Sequence, residues 1–271
     1  MTKPAGQEND LLSEVESGLE DASLGRPFIF LPETDSTNSR LKQMARQGAG
    51  HGACLAADFQ REGRGRMNRD WQAPAGQNLL FSLLLRPPAS PGQAFHFTAL
   101  AGLSLCLVLE THGLRPLIKW PNDIFLHGAK LCGILSEIQI SPRGLDFLVL
   151  GMGINVNQDE FPGLEQAAVS LKMLTRRSWR RGSLLAEILN CLTGLYRQWE
   201  RDPEQWLPPY RERSWLLGRQ VAVRDGDKEY SGRAETVRAD GTLLLTADDN
   251  GELLSVSHGD VSILAVDGVA K

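Results

Sequence analysis

The sequence has few of the residues on which several protein classes depend. Only four cysteines occur in 271 residues, at Cys54, Cys106, Cys132 and Cys191, and none belongs to a CxxC pair. This spacing excludes a dense disulfide framework and a zinc site built from paired cysteines. We interpret all four as buried, reduced thiols, which predicts a cytoplasmic protein.

Excess positive charge and a long hydrophobic run are also missing. The chain carries 29 Lys and Arg against 33 Asp and Glu, a net charge of -4, whereas proteins that bind nucleic acid usually present a strongly basic face. Its longest apolar stretch, residues 99–109, is too short to span a bilayer, and no signal peptide opens the sequence. We therefore expect neither DNA nor a membrane as a partner.

The remaining patterns predict a mixed α+β chain in three parts. Residues 1–26 are polar and acidic, so we expect a flexible lead-in with too few apolar residues for a DNA-reading helix-turn-helix. Residues 27–216 alternate strand and helix patterns, and their consecutive strands favour a mixed or largely antiparallel sheet. Residues 217–271 contain short alternating runs between Asp-Gly and Asn-Gly turns, which predicts a small β-barrel.

Hydrophobic patterns and capping residues predict the boundaries of the elements. Strands are predicted at residues 28–31, 53–58 and 78–86, around Ile118 and Ile124, and at residues 131–140 and 145–151. Helices are predicted at residues 35–48, 95–112, 182–199 and 203–214. Residues 159–179 match no motif.

One basic stretch, QREGRGRMNRDW at residues 60–71, raises the main question about function. Its four arginines and two glycines suit either an arm that binds a polyanion or a loop shaped around one small anion. The acidic balance of the whole chain favours the small anion.

Four other segments carry polar residues that either shape the chain or bind a ligand. ETDSTN at residues 33–38 is typical of a helix cap, and hydroxyls at a helix N-terminus also hold polar ligands. KWPNDIFL at residues 119–126 contains a tight turn, but a turn needs no preceding cation, and Asp123 suits Mg²⁺ beside a triphosphate. Lys130 in GAKLCGILSE is either solvated at a strand end or directed into a pocket. GMGINVN at residues 151–157 does not complete GxGxxG, but its glycines allow close approach to a flat ligand.

Taken together, these segments resemble the biotin protein ligase family over about residues 28–264. The resemblance rests on their order along the chain, which is STN, GRGRxxRxW, KWPND, KLxGIL and GxGINVN, followed by the β-rich C-terminal part. The resemblance implies a monofunctional biotin–[acetyl-CoA-carboxylase] ligase without the DNA-binding domain that some relatives carry. It implies a class II aminoacyl-tRNA synthetase-like catalytic domain and an SH3-like C-terminal barrel. The implied reaction uses ATP and Mg²⁺ to convert biotin to biotinoyl-5′-AMP, and then transfers the acyl group to a lysine of a biotin carboxyl carrier protein. Relatives often pair through a sheet edge, so a homodimer is expected.

The resemblance also assigns roles to individual residues. The residues expected to bind biotin are Ser36, Thr37, Asn38, Gln60, Arg64, Gly65, Arg66, Lys130 and Gly133. Those expected to bind the nucleotide are Trp71, Asn122, Asp123 and Asn155. Those expected to be catalytic are Arg66, Lys119, Asp123 and Lys130, with Asp123 also holding the metal. The glycine-arginine loop is expected to close over the adenylate, so that its charges meet one carboxylate and one phosphate.

Two alternative functions stay open on the sequence alone. A lipoate or octanoate ligase shares the general architecture, although the arginine-rich loop together with KWPND favours biotin. A biotin-responsive DNA-binding regulator is disfavoured by the composition of the first 26 residues. The loop departs from relatives at Met67 and Asn68, and Cys132 stands where alanine is common, but none of these three is an expected ligand contact.

Overall fold

The computed structural model describes residues 6–21, 23–142, 144–164 and 166–264. Its strands are β1 (Phe28–Thr34), β2 (Cys54–Gln60), β3 (Leu79–Leu85), β4 (Leu117–Lys119), β5 (Asp123–Leu126), β6 (Ala129–Ser141), β7 (Gly144–Ile154), β8 (Gln220–Asp225), β9 (Lys228–Val237), β10 (Leu243–Ala247), β11 (Leu253–Val256) and β12 (Asp260–Ile263). Its helices are α1 (Gly6–Gly18), α2 (Thr37–Arg46), α3 (Ala94–Thr111), α4 (Leu171–Thr175), α5 (Arg181–Arg201) and α6 (Leu207–Glu212).

The strands form two sheets, and the predicted mixed α+β fold is confirmed. The larger sheet has the order β1-β2-β3-β7-β6-β5-β4, with β1 and β2 parallel and the other neighbours antiparallel. The smaller sheet is antiparallel, in the order β11-β10-β9-β8-β12. Gly226, Gly241 and Gly251 have positive φ in its connections, which confirms the predicted Asp-Gly and Asn-Gly turns.

Helices cover both faces of the larger sheet, because its central strands carry apolar side chains on both sides. On one face lies α3, with α5 packed against α3 and α1 packed against α5. On the other face lies α2, whose Leu41 and Ala45 pack against Leu55, Leu84 and Val149. Successive residues of a strand alternate between these two faces.

The face under α2 changes from apolar side chains to glycine toward one end of the sheet. Along β7, Phe147 and Val149 pack under α2, and the next two residues on this face are Gly151 and Gly153. Gly153 pairs directly with Gly133 of β6. Since these positions carry no side chain, they leave room above the sheet beside the first turn of α2.

The smaller sheet packs against the larger unit through the turn between β9 and β10. Trp120 is 1% exposed and donates its indole N–H to the carbonyl of Gly241 at 2.8 Å. The turn lies close to the ring of Phe95, because a Cβ on Gly241 would come within 2.4 Å of that ring. His96 is hydrogen-bonded through Nε2 to the Ala239 carbonyl at 2.8 Å. The smaller sheet therefore supports the segment that contains KWPND.

The expected flexible lead-in is wrong for residues 6–21, because α1 packs on the start of α5. Leu11 and Val15 are buried, and Glu14 accepts the backbone N–H of Ser183 at 3.1 Å. A Cβ on Gly182 would lie 2.6 Å from the Leu11 carbonyl oxygen, so glycine permits the close approach. The apolar stripe of α1 is short within an acidic segment, which hid the helix. Residues 1–5 of the expected lead-in lie outside the described residues.

Several other features also differ from the predictions. The apolar run at residues 99–109 was expected to be too short to span a bilayer, but it belongs to a longer helical stretch, Pro91–Thr111, that could cross a membrane by length and composition. Most of this stretch is buried in the core. β7 continues through the GxG sequence to Ile154 instead of ending at Gly151. α6 begins only at Leu207, after turns, while α4 was not predicted.

Candidate active site

A cavity of about 700 Å³ opens above the paired glycines of β6 and β7, within the size range of small-molecule sites. Its wall combines the start of α2, the loop after β2, the turn between β4 and β5, residues 161–164 and 166–168, and the start of β12. All candidate residues from the sequence line it, namely Ser36, Thr37, Asn38, Gln60, Arg64, Gly65, Arg66, Trp71, Lys119, Asn122, Asp123, Lys130, Gly133 and Asn155.

One end of the cavity, here called the neutral end, consists of Ser36, Thr37, Asn38, Gln60 and the Ser82 hydroxyl behind them. Ser36 is the N-cap residue of α2, but its side chain makes no capping hydrogen bond in the described structure. Gln60 accepts the Thr37 N–H at 2.7 Å instead. The segment ETDSTN therefore supplies the N-cap position of α2, at Ser36, but the buried Ser36 hydroxyl lines the cavity instead of capping the helix.

Asn38 lines the same end but is bonded to protein groups. Its Nδ2 donates to the Leu135 carbonyl at 3.1 Å and to Glu137 Oε2 at 2.9 Å, and its Oδ1 accepts from Ser82 Oγ at 2.6 Å. A Cβ on Gly151 would lie 2.2 Å from Asn38 Oδ1, so the side chain fills the space that this glycine leaves. Asn38 is 4% exposed, and it builds the wall of the neutral end.

Trp71 lies over the paired glycines in the middle of the cavity. A Cβ on Gly153 would come within 2.5 Å of the Trp71 ring, and a Cβ on Gly133 within 2.9 Å. Any side chain at either position would displace the indole. The Trp71 Nε1 is buried without a hydrogen-bond partner among the described residues. Leaving a buried N–H without a partner costs free energy. A ligand that supplies an acceptor, or that moves the ring, removes this cost.

The loop that carries the arginines is folded back on itself. The Trp71 N–H donates to the Gly63 carbonyl at 2.9 Å, and a Cβ on Gly63 would lie 2.3 Å from the Trp71 carbonyl oxygen, so only glycine fits. The Gly65 N–H donates to the Arg69 carbonyl at 2.7 Å. Met67 adopts a φ of 54° at the tip and is 58% exposed. The two glycines therefore close the loop, which presents its arginines toward the cavity.

The arginines of this loop contact three separate parts of the wall. Arg64 donates to Ser39 Oγ at 2.9 Å, and Arg66 donates to Asn122 Oδ1 at 3.2 Å. Arg69 is paired with Asp260 of the smaller sheet. Burial lowers the pKa of Arg66 from its ordinary value, and nearby carboxylates counteract this shift. A guanidinium stays protonated at neutral pH, so Arg66 brings a positive charge into the cavity.

The other end of the cavity, here called the charged end, consists of Arg66, Lys119, Asp123 and Lys130. Lys130 Nζ lies 2.9 Å from Asp123 Oδ1 and forms an ion pair with it, and among the described residues no partner meets hydrogen-bond geometry at that oxygen. Lys130 Nζ also lies 5.7 Å from the centre of the Trp71 ring. Lys130 is thus the member of the charged end that lies next to the indole.

Lys119 lies farther along the charged end, over aromatic rings. Its Nζ lies 5.1 Å from the ring centre of Phe125 and 5.7 Å from that of Trp215. Burial lowers the pKa of Lys119 from its ordinary value, and Asp123 counteracts this shift. The pair of lysines surrounds one carboxylate, so the charged end carries more positive than negative charge and suits an anion.

Two expected nucleotide contacts, Asn122 and Asn155, are tied to β6. Asn122 Nδ2 donates to the Ile134 carbonyl at 2.7 Å, while Asn155 Nδ2 donates to the Lys130 carbonyl at 3.3 Å. The backbone of Lys130 also bonds to residues 167–169, from N–H to the Ala167 carbonyl at 2.8 Å and from its carbonyl to the Val169 N–H at 3.0 Å. The segment without a motif therefore braces the strand that carries Lys130.

Among the side chains that sequence reasoning missed, Ser82, Glu137 and Asp260 bond to residues of the cavity wall. Ser82 was visible as a lone hydroxyl in the apolar strand LLFSLLL, and Glu137 as the charge that follows KLCGIL. Asp260 carried no local signal, because its partner Arg69 is remote in sequence.

No group of three or more His, Cys, Asp or Glu side chains within the described ranges is arranged to hold a metal ion. Asp123 is the carboxylate beside Lys130 and Lys119 at the charged end. Mg²⁺ commonly binds one or two carboxylates together with substrate phosphates. The donor set therefore fits Mg²⁺ that arrives with a polyphosphate and does not form an all-protein metal site.

Family models match two parts of the chain. Residues 30–155 match the biotin/lipoate A/B protein ligase family, and residues 216–264 match the biotin protein ligase C terminal domain. The first match contains all candidate site residues, and the second begins just before β8.

Known proteins are similar to this chain along most of its length. It is 33% identical over 258 residues to the biotin–[acetyl-CoA-carboxylase] ligase of Mycobacterium tuberculosis, which covers 91% of this chain and 94% of that protein. It is 31% identical over 242 residues to the bifunctional ligase/repressor BirA of Bacillus spizizenii, covering 88% of this chain and 74% of that protein. The fold matches the biotin protein ligase from Aquifex aeolicus in complex with biotin and ATP, with a TM-score of 0.77 and 28% identity over 89% of this chain and 100% of that one.

Proposed function

Since this chain belongs to the biotin protein ligase family, we propose that it is an ATP-dependent ligase that attaches biotin to a lysine of a biotin carboxyl carrier protein. The observation that carries the proposal is the polarity of the cavity, in which hydroxyls and amides at one end adjoin lysines and an arginine at the other. Biotin has the matching polarity, because its cyclic urea is neutral and its carboxylate is charged. ATP brings further negative charge to the same end.

In the first step, a carboxylate oxygen of biotin attacks the α-phosphorus of ATP, and pyrophosphate leaves. Ser36, Thr37 and Gln60 bind the cyclic urea, which directs the carboxylate toward Lys130. The Lys130 ammonium stabilises the negative charge that builds on the phosphoryl oxygens.

The product of this step is biotinoyl-5′-AMP, which the loop from Gly63 to Asp70 retains. Arg64 and Arg66 supply charge-assisted contacts to the carboxyl and phosphate oxygens. The glycine at position 65 lets the loop backbone come close to the ligand. Trp71 contacts the flat base, and Asn122 and Asn155 are polar neighbours of the nucleotide. These side chains exclude water from an anhydride that water would hydrolyse.

In the second step, the amine of the acceptor lysine attacks the carbonyl carbon of the mixed anhydride. AMP leaves with the phosphate oxygen, and the amine loses one proton as the amide forms. The carrier protein supplies the nucleophile, so the reaction needs no nucleophilic side chain from the ligase. Lys130 and Lys119 stabilise the departing AMP phosphate through their positive charges.

Mg²⁺ fits this reaction as a partner of the triphosphate, with Asp123 as its protein ligand. When bound, it neutralises charge on the phosphates and makes pyrophosphate a better leaving group. Asp123 accepts this role because its carboxylate stands beside the two lysines that face the same phosphates.

We also propose the finer features that the family resemblance implies. The catalytic unit at residues 27–216 is of the class II aminoacyl-tRNA synthetase-like type. The C-terminal domain at residues 217–271, of which 265–271 lie outside the described residues, is an SH3-like barrel, which is supported by the five antiparallel strands of the smaller sheet. The protein acts in the cytoplasm on the carrier protein, without DNA or membrane partners, and pairs as a homodimer. The net charge of -4 supports a partner other than nucleic acid.

The deciding experiment offers the purified protein ATP and Mg²⁺ with either biotin or lipoate, and measures pyrophosphate release. We expect release with biotin, and incorporation of biotin when a carrier domain with its acceptor lysine is added. The same carrier domain with that lysine replaced by arginine serves as the control. Turnover with lipoate alone would overturn the assignment in favour of a lipoate ligase.

A further inference from the structure

The segment that joins the two sheets runs along the edge of the larger sheet, beside β4. The Ile118 N–H donates to the Arg213 carbonyl at 2.8 Å, and the Trp215 N–H donates to the Ile118 carbonyl at 2.8 Å. Ser214 and Ile118 form a parallel bridge. Since successive residues of a strand alternate between the two faces, the next pair along this edge, Trp215 and Lys119, shares one face.

Phe125 reaches the same face from the other neighbour of β4. In the ladder between β4 and β5, Leu117 pairs with Phe125 and Lys119 pairs with Asp123, so Phe125 lies diagonally opposite Lys119. The Phe125 and Trp215 rings stack with their centres 4.8 Å apart, at an angle of 30°. Lys119 Nζ lies 5.1 Å from the centre of the first ring and 5.7 Å from that of the second. Both distances are within the range of cation–π attraction, and the two rings are here called the aromatic pair.

The aromatic pair fixes the position of the Lys119 ammonium before a ligand binds. Among the described residues, Lys119 Nζ makes no hydrogen bond and no ion pair, whereas Lys130 Nζ lies 2.9 Å from Asp123 Oδ1. Asp123 attracts Lys119 only through its charge. Holding a long lysine side chain in one place costs conformational entropy. The attraction of the two rings offsets this cost in the free protein.

The aromatic pair acts on a ligand only through Lys119. Lys119 lines the cavity, while Phe125 and Trp215 are not among the described residues that line it. A ring face attracts the ammonium as a charge, so the three N–H donors of Lys119 remain available to phosphate oxygens. The contact with the rings can therefore persist when a phosphate binds on the cavity side.

We propose that Trp215 is a positioning residue for ATP, which together with Phe125 holds the Lys119 ammonium where it meets the phosphates. This inference rests on the proposed function, in which ATP occupies the charged end. It gives the segment between the two sheets a part in the reaction, although its tryptophan lies behind the cavity wall. A second cation, Arg219, lies 5.7 Å from the centre of the Trp215 ring. Because Arg219 is exposed and outside the cavity, it offers a matched control.

The test measures pyrophosphate release at saturating biotin in wild type, Trp215→Leu and Trp215→Phe. Leucine keeps an apolar side chain but has no aromatic face, so ATP itself must order Lys119. From the cost of immobilising one long side chain, we expect the KM for ATP to rise about twofold to twelvefold in Trp215→Leu. The kcat should change by less than about twofold, because the bound phosphates then hold Lys119. Trp215→Phe keeps an aromatic face and should recover most of the loss.

A double-mutant cycle separates positioning of Lys119 from a general loosening of the segment. It uses the affinity for α,β-methylene-ATP, which is not cleaved at the α-phosphate, measured by calorimetry. In the Lys119→Met background, Trp215→Leu should weaken this affinity no further. Additive losses would mean that Trp215 acts by another route, such as the placement of the smaller sheet, and would overturn the proposal. An unchanged KM for ATP in Trp215→Leu, or an equal rise in Trp215→Phe, would also overturn it.

Arg219→Leu and the affinity for biotin provide the controls. Arg219→Leu removes the other cation near the ring but keeps the aromatic pair, so the KM for ATP should stay within about twofold of wild type. Biotin affinity, measured without nucleotide, should also stay within about twofold in Trp215→Leu. If biotin affinity fell as much as ATP affinity, Trp215 would have a general structural role and the proposal would be wrong. Wild type that releases no pyrophosphate with biotin would instead refute the proposed function, so the two failures are distinguishable.

Discussion

The two ends of the cavity are built on opposite principles. At the neutral end, Thr37, Asn38 and Ser82 are bonded to one another and buried, and the sheet below them is fixed by α2. At the charged end, Lys130 is held by an ion pair with Asp123, and beside this end, in the middle of the cavity, Trp71 leaves its indole N–H unpaired in the described structure. The neutral end is complete before a ligand arrives, whereas the charged end is completed by its ligands.

This difference matches the chemistry proposed for each end. A cyclic urea changes little during the reaction, so a rigid set of partners binds it equally well throughout. The charge on the carboxylate and on the phosphates changes during the reaction. Side chains that can exchange partners therefore stabilise the successive charged states better than rigid ones do. Substitutions at the charged end should therefore change rates, and substitutions at the neutral end should change biotin affinity.

The largest effect is expected for Lys130→Ala. The loss of one charged contact to the transition state should lower the rate of biotinoyl-5′-AMP formation by about 10²-fold or more. Pyrophosphate release gives the rate, and thermal unfolding verifies the fold. Lys172→Ala is the matched control, because it removes a lysine that pairs with Asp159 outside the cavity. If folded Lys130→Ala protein kept the wild-type rate, Lys130 would have no part in the reaction. The proposed difference between the two ends would then be wrong.

Local sequence patterns were sufficient for most of the fold, and the site residues that the family resemblance named all line the cavity. Strand and helix patterns recur in the order of the observed elements, and KWPND and GRGR mark loops whose residues meet in one place. The partners of those residues were less accessible, because Ser82, Glu137 and Asp260 act through contacts that only the tertiary structure creates. Likewise, α1 is stabilised by its packing on α5, which its acidic sequence does not indicate.

Arg66→Gly should expose the difference between making and retaining the intermediate. A charge-assisted contact contributes about 1.5–3 kcal/mol, so its loss should loosen biotinoyl-5′-AMP about tenfold or more at roughly 1.4 kcal/mol per decade. Escaped adenylate then labels lysines of an unrelated protein such as albumin, which an anti-biotin blot detects.

The control for this experiment is Arg61→Gly, an exposed arginine paired with Glu33 before the loop. It adds the same backbone freedom without removing a charge from the cavity. If Arg66→Gly makes the adenylate normally and labels albumin no more than Arg61→Gly does, the loop does not retain the intermediate.

Trp71→Ala tests the boundary between the two ends. Stacking on a base contributes about 1–3 kcal/mol, and biotin has no aromatic base, so ATP affinity should fall more than biotin affinity. Trp71→Phe keeps an aromatic face over Gly133 and Gly153 and should recover most of the loss. Separate titrations with each ligand give the comparison. Equal losses for both ligands would mean that Trp71 serves as a shared wall and that the boundary lies elsewhere.

Asp260→Asn should give the smallest effect, because it removes one exposed ion pair that links the loop to the smaller sheet. Arg69 and Asp260 keep side-chain exposures of 67% and 36%, and such pairs contribute about 0.2–1 kcal/mol. At roughly 1.4 kcal/mol per decade, the KM for ATP should rise about 1.4-fold to fivefold, while the affinity for biotin should not change. Added salt should weaken the wild-type contact and narrow the difference. Glu33→Gln breaks a comparably exposed pair with Arg61, away from the cavity, and should leave both ligands unaffected. If Asp260→Asn weakened the binding of biotin as much as the binding of ATP, the smaller sheet would support both ends of the cavity equally. The charged end would then depend on the smaller sheet no more than the neutral end does.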